Sequence, residues 1–373
     1  MRRLVLVALA AALAAPGLVA QNTPRRPKLP ADADTNDARA YYEWSRRVDV
    51  GWQKTHDAIW WARRLDPGDL RYLLAMHEAL LGRQPYQWRV EHERGAAYVL
   101  RSKESRAIDS AWAEVLIHDP FARFDEPCTF VEGLEKQRDR MAVGMAHYLN
   151  GCYKLANRAF AEALAENPGL LDAHIHRARG FYFQQQYDST VAQLNVVIDS
   201  LRQRDLQYLT FWYYSKAMLE YMIGFTEETQ SHWAVAREAY GRALTEDLAF
   251  YVAHAHLGGV ALEQHDVQTA LTEFDLAVGL KPDDGLLRND YGYTLLENDR
   301  DAEAEAQLRE AIRLEPYWAL PYYNLAVALA NQRKRELAVA QYEAFIARCP
   351  KRLATEAAEA RTRIAKLRAG SPP

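Results

Sequence analysis

The sequence has 373 residues, a formal net charge of −4, and acidic and basic side chains mixed along its length. A nucleic-acid-binding protein usually carries a basic stripe, so this charge pattern argues against DNA or RNA as a partner. Turn signals are sparse and no long alternation of polar and apolar residues is present, which favours an all-α fold.

The first twenty residues have the organisation of an export signal. Met1-Arg2-Arg3 is a positive start, residues 4–15 are an apolar run, and small residues lead up to Ala20. We predict a cleavable signal peptide over residues 1–20 and a periplasmic or secreted protein, with no transmembrane span after cleavage. An uncleaved membrane anchor is the alternative, although the run is shorter than the ~20 residues that span a bilayer. No cysteine lies near the cleavage region, so no bacterial lipid anchor is expected.

Residues 21–36 are polar and rich in proline. Such a composition buries too little apolar surface to fold by itself, so we predict a disordered leader. Its expected role is that of a linker.

Residues 37–136 are predicted to form helical hairpins that diverge from the remainder of the chain. The first hairpin covers residues 38–66, with a break between its helices at Gly51 and a stop at Pro67. It reads as a divergent repeat unit or as an N-terminal cap.

The segment that follows is harder to divide. Its pattern predicts three helices and then an irregular loop, which is either a packing bridge or a contact surface. The second helix pairs either with the third, as one degenerate repeat, or with the first, which leaves the third as an insertion. The predicted segments are helices over residues 70–81, 88–100 and 104–117 and a loop over residues 121–129.

Residues 137–352 are predicted to form a repeat array, and within it residues 251–352 repeat with a fixed step. Pro282, Pro316 and Pro350 are 34 residues apart, and each ends a unit in which the same residue sizes recur. Each unit reads as two antiparallel helices, with small residues where the helices cross, because a larger side chain would push the backbones apart. The predicted crossing residues of the last three units are Gly258, Gly292 and Ala326.

One unit, residues 206–248, is longer than the others by about a dozen residues. We assign the extra length to its first helix and to the turn over residues 224–232. The aromatic run at residues 211–214 surrounds that helix and is predicted to be core. After the array, residues 353–368 are predicted to form a capping helix with a polar face, followed by a tail over residues 369–373.

These spacings and residue sizes resemble the tetratricopeptide repeat (TPR) family. The resemblance implies an all-α, right-handed superhelical solenoid of antiparallel helix hairpins, with a concave groove that takes an extended or helical peptide. One subclass of the family grips a free carboxylate with lysines on the first helix of each hairpin. Those lysines are absent here, so that activity is not expected. The groove residues that the resemblance implies are Arg179, Tyr182, Phe183, Leu262, Glu263, Asn289, Tyr293, Leu296, Tyr323, Val327 and Asn331.

Packing between helices is the alternative role for these residues. Both interpretations are open for Tyr182 and Phe183, whereas a surface role is favoured for Tyr293 and Tyr323. Aromatic rings beside a few amides suit the binding of a peptide or a glycan, since a flat apolar body is paired with hydrogen-bonding groups.

No residue is assigned to catalysis, to a cofactor or to a metal. Motifs typical of zinc proteases, serine hydrolases and phosphate-binding loops are missing. His174 and His176, like His254 and His256, are two residues apart, so the members of each pair point about 200° apart on a helix. Each pair is therefore expected to pack or to face solvent.

The three cysteines have no metal-binding spacing. A bridge between Cys128 and Cys152 is disfavoured, because one helix over residues 130–149 would hold its ends ~30 Å apart. Cys349 lies at the end of the last repeat.

Together these patterns predict a non-catalytic binding scaffold or adaptor of the bacterial envelope, which holds a protein or peptide partner in the groove. Two alternatives stay open: a solenoid that guides polysaccharide during export, and an enzyme with a site in residues 70–129. The identity of the partner and the oligomeric state are not predicted.

Overall fold

Within the described residues the chain is helical and contains no β-strand, and the predicted all-α repeat solenoid is confirmed. None of the described helices is both long enough and apolar enough to cross a membrane. The predicted signal peptide and the residues after 369 lie outside the described part. The computed structural model describes residues 23–47, 51–81, 103–122, 138–203 and 214–369.

Four described helices precede the array, and the first two form the predicted hairpin. The side chain of Asp37 caps the first helix by accepting a hydrogen bond from the N–H of Arg39. Gly51 has a φ of +79°, a conformation in which other residues are strained, and it directly precedes the second helix. The four helices are α1 (Ala38–Ser45), α2 (Trp52–Leu65), α3 (Leu70–Leu81) and α4 (Lys103–His118).

The third and fourth helices pack against each other. The rings of His77 on α3 and Trp112 on α4 have centroids 4.9 Å apart. The predicted helix over residues 88–100 and the loop after residue 122 lie outside the described residues, so the two open pairings of that helix stay predictions.

The array that follows consists of six hairpins and a final helix. Consecutive hairpins contact each other, and α17 lies on α16, where it buries Ile364 and Leu367. The hairpins are α5 (Arg140–Leu149) with α6 (Tyr153–Glu166), α7 (Leu171–Phe183) with α8 (Tyr187–Gln203), α9 (Lys216–Thr229) with α10 (Trp233–Glu246), α11 (Tyr251–Glu263) with α12 (Val267–Leu280), α13 (Gly285–Leu296) with α14 (Asp301–Leu314), and α15 (Leu320–Asn331) with α16 (Arg335–Arg348), and the final helix is α17 (Ala354–Arg368).

In four hairpins a glycine of the first helix faces a large side chain that follows sixteen residues later. A Cβ atom built on Gly144 would lie 2.4 Å from the ring of Phe160, and one built on Gly292 would lie 2.8 Å from Leu308. Glycine is therefore required for the two helices to approach this closely. Ala326 takes the same position in the last hairpin and is fully buried. The other two pairs are Gly224 with Tyr240 and Gly258 with Phe274.

The predicted disordered leader is wrong for residues 23–36. Leu29 is only 8% exposed, and the indole N–H of Trp61 donates a hydrogen bond to the carbonyl oxygen of Pro24 at 3.1 Å. The guanidinium group of Arg26 lies 4.7 Å from the ring centroid of Trp61, within the range of a cation–π contact. The segment is held at this end by the aromatic surface of α2 and at its other end by hydrogen bonds of Asp34 and Asn36 to the last repeat.

The predicted position of the extra length in the long unit is wrong. Its helices α9 and α10 have 14 residues each, and three residues separate them. The additional residues therefore precede α9, which begins after the capping side chain of Ser215. Tyr214 is buried just before the helix, and the other residues of the aromatic run lie outside the described part.

The expectation of an unbridged Cys152 is also wrong. Cys152 is disulfide-bonded and Cys349 carries a free thiol, whereas Cys128 lies outside the described residues. The separation of ~30 Å expected between the two cysteines requires one helix over residues 130–149. That helix begins only at Arg140, where the side chain of Asp139 caps it.

Candidate functional site

The residue that directly follows each crossing residue has the same place in every hairpin, on the first helix. These residues form a row along the array, which we call the groove row. Their counterparts five positions after the crossing residue lie at or next to the end of the same helix, and we call them the rim row. The groove row contains Met145, Arg179, Phe225, Gly259, Tyr293 and Val327, and the rim row contains Leu149, Phe183, Thr229, Glu263, Glu297 and Asn331.

At its N-terminal end the groove row is covered by the chain itself. Arg179 is 1% exposed, and its guanidinium group donates to the carbonyl oxygen of Ala122 at 2.8 Å and to the hydroxyl oxygen of Tyr214 at 3.3 Å. The same guanidinium group lies 5.1 Å from the ring centroid of Tyr148. This arginine, predicted to bind a partner, therefore holds the segment that follows α4.

Tyr182, one turn further along α7, contacts the same segment. Its ring stacks on Phe121 with centroids 3.9 Å apart and planes 5° apart, and Phe121 is fully buried. The hydroxyl groups of Tyr182 and Thr229 are 3.2 Å apart. Burial raises the pKa of Tyr182. Phe183 packs on Tyr153, with centroids 4.8 Å apart.

The segment at residues 119–122 is the end of a longer cover. Residues 23–47, 51–81 and 103–122, which we call the N-terminal layer, run along the array in the direction opposite to the repeats. Their early residues meet the last repeat and their late residues meet the second hairpin. The contacts, in chain order, are Asp34 with Lys351, Asn36 with Ala347, Trp61 with Tyr317, Arg64 with Glu315, Ile117 with Tyr221, His118 with Tyr251, and Ala122 with Arg179.

Beyond α9 the groove row is open. A Cβ atom built on Gly259 would meet no atom within 4 Å, so among the described residues the space directly over this glycine is free. Tyr293 is 47% exposed and Val327 is half-buried. In the rim row Glu263 and Glu297 are exposed, and Asn331, also exposed, donates a hydrogen bond to the carboxylate of Asp301. We call this region, from α11 to α15, the open groove.

Four predicted groove residues serve packing instead. Asn289 is 2% exposed and accepts a hydrogen bond from the amide of Asn324 at 3.1 Å, which ties α13 to α15. Leu296 is buried in the core, and Leu262 is half-buried beside it. The ring of Tyr323 is half-buried against Phe345, with centroids 5.2 Å apart.

Asp290 also belongs to this region, and it is not one of the predicted groove residues. Its side chain keeps exposed surface, yet surrounding protein displaces bulk water and raises its pKa to about 7. The hydrogen bond from the amide of Asn289 opposes the shift, and the nearby charge of Asp284 adds to it. Asp290 precedes Tyr293 by three residues on α13, so the two side chains lie on neighbouring faces of this helix, and we call this carboxylate the floor of the open groove. No sequence signal marks it, because the loss of water around the carboxylate arises only in the folded chain.

The 34-residue step, the hairpins and the glycine crossings at a constant sixteen-residue separation match the helix-hairpin pattern of tetratricopeptide repeats. The hairpins have the fold of such repeats. No protein-family model matches the sequence. An uncharacterized protein of Haemophilus influenzae is 22% identical over 125 residues, which covers 33% of this chain and 69% of that protein.

Solved TPR structures are similar to this chain at low identity. YrrB, described as a TPR protein with an unusual peptide-binding site, is 21% identical, with a TM-score of 0.43, and the match covers 52% of this chain and 94% of YrrB. The C-terminal part of a TPR repeat-containing protein from Cytophaga hutchinsonii is 17% identical, with a TM-score of 0.48, over 55% of this chain and 78% of that one. MamA is 16% identical, with a TM-score of 0.40, over 46% of this chain and 94% of MamA.

His254 and His256 of the array pair with glutamates of neighbouring helices. The ring of His254 is 2.6 Å from the carboxylate of Glu273, and that of His256 is 2.8 Å from Glu228. Burial opposes protonation of His254, but the bond to Glu273 outweighs it and raises the pKa. In the described ranges, no three His, Cys, Asp or Glu side chains gather in an arrangement that could hold a metal ion.

Proposed function

We propose that this chain is an exported scaffold that holds a protein or peptide partner in the open groove. The observation that carries the proposal is the exposure of Tyr293, a tyrosine on the groove row, one repeat step from the free space at Gly259. A tyrosine ring combines a large apolar face with a hydroxyl group, which suits contact with a peptide backbone and its side chains. Asn331 and Glu263 on the rim add hydrogen-bonding groups.

The covered part of the groove is a weaker candidate. A partner that bound to Arg179 and Tyr182 would first have to displace Ala122 and Phe121. Displacement would break a hydrogen bond to a buried charge and expose a buried ring, whereas the open groove needs no such rearrangement. The alternative of an enzyme depends on residues 70–129, of which a large part lies outside the described residues.

Two observations support export. The N-terminal residues have the pattern of a signal peptide, and Cys152 is disulfide-bonded. Disulfides persist mainly in oxidising compartments such as the periplasm and the extracellular space. We therefore propose a periplasmic or secreted location in the bacterial envelope.

The test is selection of peptides from a displayed library on the full mature chain, followed by affinity measurement on two variants. Tyr293→Ala removes the exposed ring of the open groove. Leu276→Ala removes a side chain of similar exposure, 45%, from the second helix of a hairpin. We expect Tyr293→Ala to weaken the selected peptides about tenfold and Leu276→Ala to leave them unchanged.

Equal effects of the two substitutions would contradict the assignment of the open groove. A glycan array on the same chain tests the polysaccharide alternative. Binding of glycans together with a failure to select any peptide would replace the peptide proposal by that alternative.

A further inference from the structure

We propose that the open groove selects a basic peptide, with lysine or arginine side chains that reach the acidic rim and floor between α11 and α13. The inference rests on the proposed function and adds the chemistry of the partner. Three carboxylates line this stretch, Glu263 and Glu297 on the rim and Asp290 on the floor, and no lysine or arginine occupies the groove row or the rim row there.

The placement of the two rim carboxylates is the first argument. Glu263 is the last residue of α11, and Glu297 is the C-terminal cap of α13. The C-terminal end of a helix carries partial negative charge and favours lysine, arginine or histidine nearby. Neither α11 nor α13 has a basic residue in its last turn. The negative potential of each helix end therefore adds to that of its carboxylate. The two sites lie one repeat step apart, and a cationic partner would reduce the negative potential at both.

Basic side chains near this stretch have partners of their own. Arg237 forms an ion pair with Asp266, and Arg288 donates to the carbonyl oxygen of Pro282 and to the side chain of Gln307. Arg300, in the turn after α13, forms an ion pair with Glu303. Lys334, in the turn after α15, forms an ion pair with Glu305. Arg333 is exposed, but it lies beyond Asn331, at the far end of the open groove. The acidic stretch thus covers α11 and α13, where the space directly over Gly259 is free of described residues.

The floor of the groove gives the second argument. Asp290 accepts a hydrogen bond from the amide of Asn289 at 3.2 Å and is repelled by Asp284. The surrounding protein removes water from its carboxylate and thereby raises its pKa. Among the described residues no cation offsets this charge, and a cationic side chain of a partner would supply the counter-charge. Tyr293, three residues further along α13, adds an exposed aromatic ring, a group that attracts cations.

The third argument is the contrast with the covered part. There the chain places a cation, Arg179, in the groove row, and the occupant supplies a carbonyl oxygen and an aromatic ring from residues 121–122. In the open groove the protein supplies the acid and the aromatic ring. The complementary occupant is therefore a peptide that brings the cation.

The experiment measures binding of three labelled peptides of equal length to the full mature chain by fluorescence anisotropy. All three alternate leucine with a second residue, which is lysine in the first, glutamine in the second and glutamate in the third. We expect the lysine peptide to bind at least about tenfold more tightly than the other two and to weaken as salt is raised.

Two variants locate the effect. The double variant Glu263→Gln, Glu297→Gln keeps the size of both side chains and removes their charge, and we expect it to weaken the lysine peptide about tenfold. Glu246→Gln changes an exposed glutamate at the end of α10, the second helix of its hairpin, and serves as the matched control. Circular dichroism checks that all variants keep the helical fold.

The outcomes separate the two proposals. Equal binding of the three peptides, with sensitivity to Tyr293→Ala, would overturn the choice of a basic partner and leave the peptide-binding function intact. If Glu246→Gln weakened binding of the lysine peptide as much as the double variant does, the charge effect would arise outside the groove. This result would also overturn the inference. If no peptide binds and the chain self-associates instead, a second copy is the occupant and the basic peptide is excluded.

Discussion

The covered and the open parts of the groove use the same repeat positions in opposite ways. In the covered part the groove row contains Arg179, buried and hydrogen-bonded to the N-terminal layer. In the open groove the same row contains Tyr293, which is almost half exposed. The repeat therefore fixes where a side chain is presented, and the rest of the chain decides whether that side chain stabilises the fold or remains available to a partner.

The largest effect on stability is expected for Arg179→Met. The substitution removes the hydrogen bonds to Ala122 and Tyr214 and leaves a buried carbonyl oxygen without this donor. We expect a loss of about 3 kcal/mol in the free energy of unfolding, measured by urea denaturation. The matched control is Arg333→Met in the exposed turn after α15, with a change below about 0.5 kcal/mol. Similar losses of stability for the two variants would contradict the distinction between the covered and open parts of the groove.

Two tyrosines allow the same comparison between the covered and the open parts of the groove. Tyr182→Ala removes the ring that stacks on Phe121, and we expect a loss of about 2 kcal/mol in the free energy of unfolding. Tyr293→Ala removes an exposed ring and should change stability by less than about 0.5 kcal/mol. The thermal melts of the two variants give the answer. A larger loss from Tyr293→Ala would mean that the open groove is a packing surface.

The glycine crossings offer a third comparison, between a hairpin under the N-terminal layer and one in the open groove. In Gly224→Ala the new Cβ atom would lie 2.5 Å from the ring of Tyr240, whose hydroxyl group is held by Glu228. We expect a loss of about 1.5 kcal/mol in the free energy of unfolding from this overpacking.

In Gly258→Ala the corresponding distance to the ring of Phe274 is 3.1 Å, so a small shift suffices. The higher helix propensity of alanine, worth about 1 kcal/mol, offsets the contact, and a net change near zero is expected. Urea denaturation of both variants checks the difference. A larger loss of stability from Gly258→Ala than from Gly224→Ala would contradict this account of the contacts with Phe274 and Tyr240.

The fold of the array could be predicted from the sequence because each constraint is local. A glycine and a large residue sixteen positions apart, as in Gly258 and Phe274, must meet inside one hairpin. The cover could not be predicted in this way. Phe121 and Ala122 lie more than fifty residues from Tyr182 and Arg179, in a segment without periodicity, and only the folded chain brings them together.

For the candidate site, the sequence predicted the positions of the side chains and not their roles. The repeat assigned both Arg179 and Tyr293 to the groove, since position along the first helix follows from the spacing. It could not distinguish the arginine, which binds its own chain, from the tyrosine, which is free to bind another. Asn289 was placed in the groove although its amide is buried against Asn324, because a polar side chain gives no sign of its burial partner.

The smallest effect tests the floor of the open groove. The pKa of Asp290 in the folded chain is about 7, above the ordinary value of an aspartate, because burial disfavours the charged form. The folded state thus binds a proton that the unfolded state releases near pH 4, and its stability falls as the pH rises from about 4 to about 7. Asp290→Asn keeps the side chain neutral, so its stabilising effect should grow across this window and stay constant above it.

Thermal melts of the Asp290→Asn variant at pH 4, 5.5 and 7.5 measure this effect, and Asp299→Asn in the exposed turn after α13 is the control. Because the carboxylate of Asp290 keeps some contact with solvent, only a small upward shift of the melting temperature is expected at pH 7.5. A shift that is the same at all three pH values would mean that water reaches this carboxylate freely. The open groove would then lack the desolvated acidic floor that distinguishes it from the neutralised, covered end at Arg179.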